Sequence, residues 1–400
     1  MSQKVREVFE QGQGIFRMMP NFVPRCFSKP GHRLRLHPDD YFALGMKRGA
    51  MKERWFSSTI VANNGPYAAE DEGLSYIALN QDGSEKVALR DAIQEMGAEI
   101  IGQELMDTYG GWPMYSKFFD NNVPLFHHLH LDNEAAARVG RLGKPEAYYF
   151  PPQLNNHLGE FPATYFGFDP DVKKEEVRAC LECFEDRDNR ITELSRAYRI
   201  ELGTGWYTPA GVVHAVLTYE PQWNSDVNSV YENVTADEVN SITSLNENCP
   251  DDKKDDIDYI MSLMDWDANV DPHYRKKYFR PPVETDAPEG AIEKWVVYAN
   301  PWVGAKELTV LPGQTVTIKD AAAYGCITVQ GHGTFGPHDC EAAIMLRYGQ
   351  MSADEFFVSE KAAKEGVVIS NHSKVEPLVI LKHFAPNNKE IPQKSPLWED

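Results

Sequence analysis

The chain lacks the marks of several protein classes. It has no run near the ~20 consecutive apolar residues that a membrane span needs, so no membrane partner is expected. Residues 1–14 (MSQKVREVFEQGQG) lack the apolar centre of a signal peptide, which makes the cytoplasm the expected location. There is no basic excess: 60 Asp and Glu stand against 40 Lys and Arg, a formal charge of −20. Nucleic acid is therefore not an expected partner, because its phosphates need a basic surface. A bulk basic funnel for phosphorylated substrates is excluded as well, while a local basic pocket stays open. The six cysteines form no framework. Cys180 and Cys183 make a single CxxC within a helical pattern, and a zinc site of the usual kind needs a second pair. They read as ordinary helix cysteines.

What the chain does have points to β structure. Its 26 prolines and 28 glycines are spread along 400 residues, which suits many short elements joined by turns, and 11% aromatics favours strands. The length suffices for one large core or two ordinary ones. Residues 1–45 read as a mixed, mostly irregular arm, with His37-Pro38-Asp39-Asp40 as a helix start. Residues 53–62 read as a strand, 86–107 as a helix and 123–132 (VPLFHHLHLD) as an alternating strand. Residues 171–198 are polar with helical period, a helical insertion between two β segments. Residues 236–290 read as a helical connector. From about Ile292 short strands return, separated by turns such as Pro312-Gly313. The expected organisation is an arm (1–45), a first β unit (46–235) with a helical insertion at about 170–200, the connector (236–290) and a second β unit (291–390).

Three motifs in the first unit carry chemistry. Alternation in the strand 123–132 puts Phe126, His128, His130 and Asp132 on one face, with His127 on the leucine face. His128 and His130 can thus converge on one ion, although two strand histidines alone are also compatible with plain partial exposure. Glu146, in Gly143-Lys144-Pro145-Glu146, and His214, in Pro209-Ala210-Gly211-Val212-Val213-His214, would complete three nitrogens and one carboxylate. That set suits a divalent metal with one open position.

These residues resemble the cupin superfamily, and more closely the type I phosphomannose (mannose-6-phosphate) isomerases. The resemblance rests on motifs in order over roughly residues 50–235: Glu53-Arg54-Trp55-Phe56-Ser57-Ser58, the His128/His130 strand, Gly143-Lys144-Pro145-Glu146, Tyr165-Phe166-Gly167-Phe168, Pro209 to Ala215, and Glu220-Pro221-Gln222 leading to Ser225-Asp226. It implies a mainly β fold with two cupin cores, a bicupin. It also implies a metal-dependent aldose–ketose isomerase working through a cis-enediol on a mannose- or glucose-type sugar, with a phosphorylated, a sulfonated or a neutral sugar as options. It makes His128, His130, Glu146 and His214 the metal ligands, zinc the first expectation and Mn, Co or Fe the alternatives. Lys144 and Glu220 become the catalytic candidates, and Trp55, Ser58, Tyr148 and Asp226 the substrate-binding ones. A surface lysine, a surface carboxylate and core aromatics remain the plainer readings of Lys144, Glu220 and the two rings. Homodimerisation is left open. A metal-dependent cupin oxygenase and a non-catalytic sugar-binding cupin are the alternative functions.

Two positions depart from that family's pattern. His128 stands where the family usually has Gln, which preserves metal binding. The Arg that the family places about five residues after the Ser-Asp pair falls here at about Val230, and no Arg or Lys occurs between Arg199 and Lys253. Candidate replacement cations are Arg33, Arg35, Arg48, Lys52 and Arg54 in the N-terminal segment and Arg275, Lys276 and Arg280 in the middle of the chain. Glu220 is six residues from His214, ~20 Å if extended, so it reaches the metal only if the chain turns between them. His332, His338, His372 and His383 in the second β unit lack an i, i+2 pair, so that unit reads as metal-free.

Overall fold

The computed structural model describes residues 2–154, 162–215 and 219–398. The chain is mainly β, as its short alternating segments require. Two seven-stranded antiparallel sheets form the centre. The first orders Phe279–Arg280, Gly205–Thr208, Glu146–Tyr149, Tyr219–Trp223, Met114–Phe119, Ala50–Phe56 and Asn21–Arg25. The second orders Ile15–Arg17, Glu355–Val358, Tyr324–Gln330, Leu378–Phe384, Gly304–Val310, Ala291–Val297 and Val283–Glu284. Both contribute to one apolar cluster: Met51, Phe56, Phe118 and Tyr219 of the first meet Val297, Ala305, Ile327 and Leu381 of the second. Burying two apolar sheet faces against each other is the main driving term for such packing.

Each central sheet has a smaller sheet on its other face. A five-stranded sheet (Ser195–Arg199, Ala163–Phe168, His214–Ala215, His128–Leu129, Ser229–Val230) faces the first, with Phe166 stacked on Trp206 at 4.8 Å between ring centroids. A four-stranded sheet (Thr315–Ile318, Val367–Asn371, His332–Phe335, His338–Glu341) covers the second through a core containing Trp295, Tyr324, Phe335 and Phe356. Helices Ile242–Asn246, Ile257–Ser262, Trp266–Asn269 and Tyr274–Tyr278 lie in the connector. Among the described residues no helix is long and apolar enough to cross a membrane.

Several local expectations needed correction. Residues 1–45, although largely irregular, carry three regular elements: Ser2–Gln11 is a helix, Ile15–Arg17 edges the second central sheet and Asn21–Arg25 edges the first. The stretch 86–107 is a short strand, Lys86–Ala88, followed by two helices, Leu89–Ile100 and Gln103–Tyr109. They part at Gly102, whose φ of 87° only glycine adopts easily and whose missing Cβ leaves room for the Glu360 carboxylate. Of 171–198 only Lys174–Glu182 is α-helical. Asn189 then turns the chain by bonding Tyr231 O at 2.7 Å, and Ser195–Arg199 pairs with Ala163–Phe168. The alternating stretch 123–132 is a strand only at His128–Leu129.

Candidate metal centre

The first central sheet and the five-stranded sheet enclose a polar centre. His128 and His214 are register partners on adjacent strands of the five-stranded sheet. His130 follows directly, and Glu146 opens a strand of the facing central sheet. Parity thus brings His128 and His130 to one side, and tertiary packing brings Glu146 across to them. The potential ligand atoms of His128, His130, Glu146 and His214 all lie within 4.8 Å of one another, and all four residues are buried. His127 points away, as its parity requires, and pairs with Glu232 at 2.8 Å.

The histidine tautomers follow from their partners. Nδ1 of His128 lies 3.0 Å from Phe126 O, that of His130 2.7 Å from Val227 O and that of His214 2.8 Å from Val212 O. A carbonyl only accepts, so each Nδ1–H donates and each Nε2 presents a lone pair to the centre. Nε2 of His214 is 2.9 Å from Glu146 Oε1, and Nε2 of His130 is 3.1 Å from Glu146 Oε2. Lone pairs facing a carboxylate at these distances repel unless a cation lies among them. Burial, then repulsion from His214 and His130, holds His128 well below its usual pKa; burial, chiefly, takes His130 down to about 3. Protonation of these two rings is thus disfavoured. His214 Nε2 has no hydrogen-bond partner. A divalent cation fits this donor set, and zinc accepts three imidazoles and one carboxylate readily.

The sequence-derived catalytic candidates meet at the same place. Lys144 Nζ lies 2.8 Å from Glu146 Oε2, 3.0 Å from His130 Nε2 and 3.4 Å from Glu220 Oε1. Glu220 arrives because His214–Ala215 belongs to the five-stranded sheet and Tyr219–Trp223 to the central sheet that faces it, and its carboxylate lies beside Lys144 among the histidines. Burial, and then repulsion from Glu146, raises Glu220 to about 8 against the pull of Lys117 and Lys144. Burial opposes ionisation of Glu146, but the ammonium of Lys144 against it favours the charged form, and the carboxyl is held well below the usual range.

The substrate-binding candidates divide. Tyr148 donates its hydroxyl to Glu146 Oε1. Asp226 accepts from Arg25 at 2.9 and 3.0 Å and from Asn63 N at 2.7 Å at the mouth of the cavity. Trp55 is fully buried against Tyr115 and donates to Glu53 Oε2 at 2.6 Å, so it orients a carboxylate and does not line the cavity. Ser58 also lies behind that wall, bonded to Ile60.

Sequence reasoning missed Arg25, Lys117 and the position of Glu53, which all line the cavity. Lys117 bridges Glu220 at 3.2 Å and Glu53 at 3.5 Å. Arg25 spans Glu53 (2.7 Å) and Asp226 (2.9 Å). Strand parity offers one signal for Lys117, which shares a face with Tyr115 and Phe119; Arg25 sits on an edge strand that sequence read as irregular. The candidate replacement cations are engaged elsewhere. Arg33 bonds Asp120, Arg35 the Ala343 carbonyl, Arg48 Glu72, Arg54 Asp354 and Glu355, Arg275 Glu201, and Arg280 backbone carbonyls. Lys52 stacks on Phe27 at 5.1 Å, and Lys276 lies on the helix Tyr274–Tyr278. In the second β unit, His383 bonds Ser116 and Tyr219 between the two central sheets, and His338 stacks on Phe356.

No family model matches the chain, and no curated protein matches it in sequence. Solved structures do match in fold. The mannose 6-phosphate isomerase from Bacillus subtilis aligns over 93% of this chain and 100% of its own at a TM-score of 0.61 and 18% identity. A phosphomannose isomerase variant from Salmonella typhimurium aligns over 93% and 100% at 0.60 and 12%. A mannose 6-phosphate isomerase bound with zinc and yttrium aligns over 93% and 99% at 0.59 and 12%. The chain therefore has the fold of the mannose-6-phosphate isomerases across nearly its whole length, with a sequence far diverged from theirs.

Proposed function

We propose that the protein is a metal-dependent aldose–ketose isomerase acting on a mannose- or glucose-type sugar. The observation that carries this reading is the buried meeting of three Nε2 lone pairs and Glu146 with Lys144 and Glu220 directly against them. A simple sugar-binding protein has no need of a buried lysine and a second carboxylate at a metal centre. On this reading the chain is a bicupin whose chemistry resides in residues 46–235, with the helical insertion at about 170–200, the connector 236–290 and a second cupin at 291–390. The arm 1–45 lends Arg25 to the cavity.

Zinc is the proposed ion, held by His128, His130, His214 and Glu146; when bound it would polarise the sugar oxygens at C1 and C2. The chain's residues would handle the protons. Glu220 in its ionised form would take the C2 proton and return it to C1, while Lys144 would give a proton to O1 and take one from O2, so that the cis-enediol forms and collapses with atoms and electrons balanced. Lys117 holds Glu220 in position. Tyr148 donates to Glu146 Oε1 and so orients a ligand carboxylate, as hydrogen bonds behind a metal site commonly do. Asp226 would contact sugar hydroxyls, and Trp55 and Ser58 would serve the substrate indirectly by fixing Glu53 and the strand end.

The test is isomerisation of D-mannose, D-lyxose and their phosphates by chelator-stripped protein before and after zinc is restored. Turnover restored by metal is expected; no isomerisation of any aldose by the metal-loaded protein overturns the reading. Oxygen uptake by the iron-loaded protein would favour a cupin oxygenase instead.

A further inference from the structure

We infer that, if the isomerase reading holds, this pocket selects an uncharged sugar and rejects the phosphorylated one. The cavity beside the metal ligands contains three cations, and each is already matched by two carboxylates. Arg25 bonds Glu53 and Asp226, Lys117 lies against Glu53 and Glu220, and Lys144 lies against Glu146 and Glu220. Each of the three cations therefore already has a carboxyl partner in the wall. A phosphate dianion there would have to displace a carboxylate from its cation and then stand beside it, negative charge against negative charge, which a neutral sugar avoids.

The wall where an additional cation would be needed is apolar. Val230, the register partner of His128, is buried in a cluster with Phe119, Leu125, Phe126 and Ala215. Phe27, Phe119, Leu125 and Phe126 also line the cavity. Lys52 does not line it; its ammonium stacks on Phe27.

The same wall suits a neutral polyol. A hydroxyl donates one hydrogen bond and accepts others. Alternating Glu53, Arg25, Asp226 and Lys117 offers an acceptor beside a donor at each step, so sugar hydroxyls can insert without changing the local charge. The void among these side chains is small, about 40 Å³, so a ligand enters by parting the rim. Parting Arg25 from Asp226 leaves it on Glu53, still matched. The aromatic side of the cavity would then meet the C–H edge of the sugar.

Calorimetric binding of D-mannitol and D-mannitol 1-phosphate to zinc-loaded protein tests this without requiring turnover. Mannitol is expected to bind more tightly by at least about tenfold. Equal or tighter binding of the phosphate overturns the inference, and so does binding of neither. Asp226→Asn removes one of the two carboxylates on Arg25 at constant shape, and the affinity ratio should shift toward the phosphate by about tenfold. An unchanged ratio in a folded, zinc-loaded variant would count against charge matching as the cause. Kinetics separates this inference from the one it rests on. Faster turnover of mannose 6-phosphate than of mannose sinks the selectivity and leaves an isomerase. Tight mannitol binding without turnover of any aldose sinks the isomerase and leaves the ligand class.

Discussion

Glu146 gathers more of the site than any other side chain: two histidines, Lys144 and Tyr148 all reach its two oxygens. Glu146→Gln keeps the shape and removes the charge. Zinc affinity should fall by at least about 100-fold, read by competition with a chromogenic chelator. Glu220→Gln makes a contrasting case. It touches Lys144 and Lys117 but is not among the four proposed ligands, so zinc content should stay near one per chain while isomerase kcat drops by roughly 100-fold. Equal loss of zinc in both variants would mean that Glu220 supports the metal. At this scale the histidines and Glu146 were readable from parity and motif, because those depend on neighbouring positions. Arg25 and Lys117 were not, because their partners are Glu53, Asp226 and Glu220 on other strands.

The turn before His214 shows how an element positions a candidate ligand. Gly211 has a φ of 84°, and a Cβ there would lie 2.8 Å from Asp265 N, which donates to Gly211 O at 2.9 Å. Asp265 in turn caps the helix Trp266–Asn269 by accepting from Ala268 N. Asn269 of that helix donates to Gly211 O and accepts from Val213 N. The connector helix thus clamps the segment that delivers His214. Gly211→Ala combines left-handed strain with a backbone clash and should cost about 2 kcal/mol in urea unfolding, with weaker zinc binding as a second readout. The Pro-Ala-Gly turn was legible because glycine chemistry is local. The clamp was not, since the connector lies over fifty residues further along the chain. The same distinction explains why the helical period of 171–198 misled at its end: Ser195–Arg199 becomes a strand because a neighbouring strand is available to pair with it.

Across the whole molecule, the two central sheets meet at His383, whose Nδ1 lies 2.8 Å from Ser116 Oγ and 3.1 Å from Tyr219 Oη. Burial lowers its pKa from 6.5 to about 3. With a depressed folded value, the unfolded chain takes up the proton first. The stability contributed by the neutral ring is therefore full above pH 6.5 and is lost as pH falls toward 3. His383→Gln should remove that dependence: between pH 7 and pH 4.5 the wild type should lose roughly 2 kcal/mol more than the variant in urea melts. Equal losses would place the acid sensitivity elsewhere.

Periodicity, turn residues and the motif order sufficed for a mainly β chain, for most strands after Ile292, and for the four metal-ligating candidates. These depend on parity and backbone chemistry that reside within a few consecutive residues. The packing of two seven-stranded sheets, the return of Glu220 to the histidines and the charge-matched wall of Arg25, Lys117, Glu53 and Asp226 required the folded chain. Each depends on which strands become neighbours, and that is settled by burial of apolar faces over the whole molecule rather than by any local stretch.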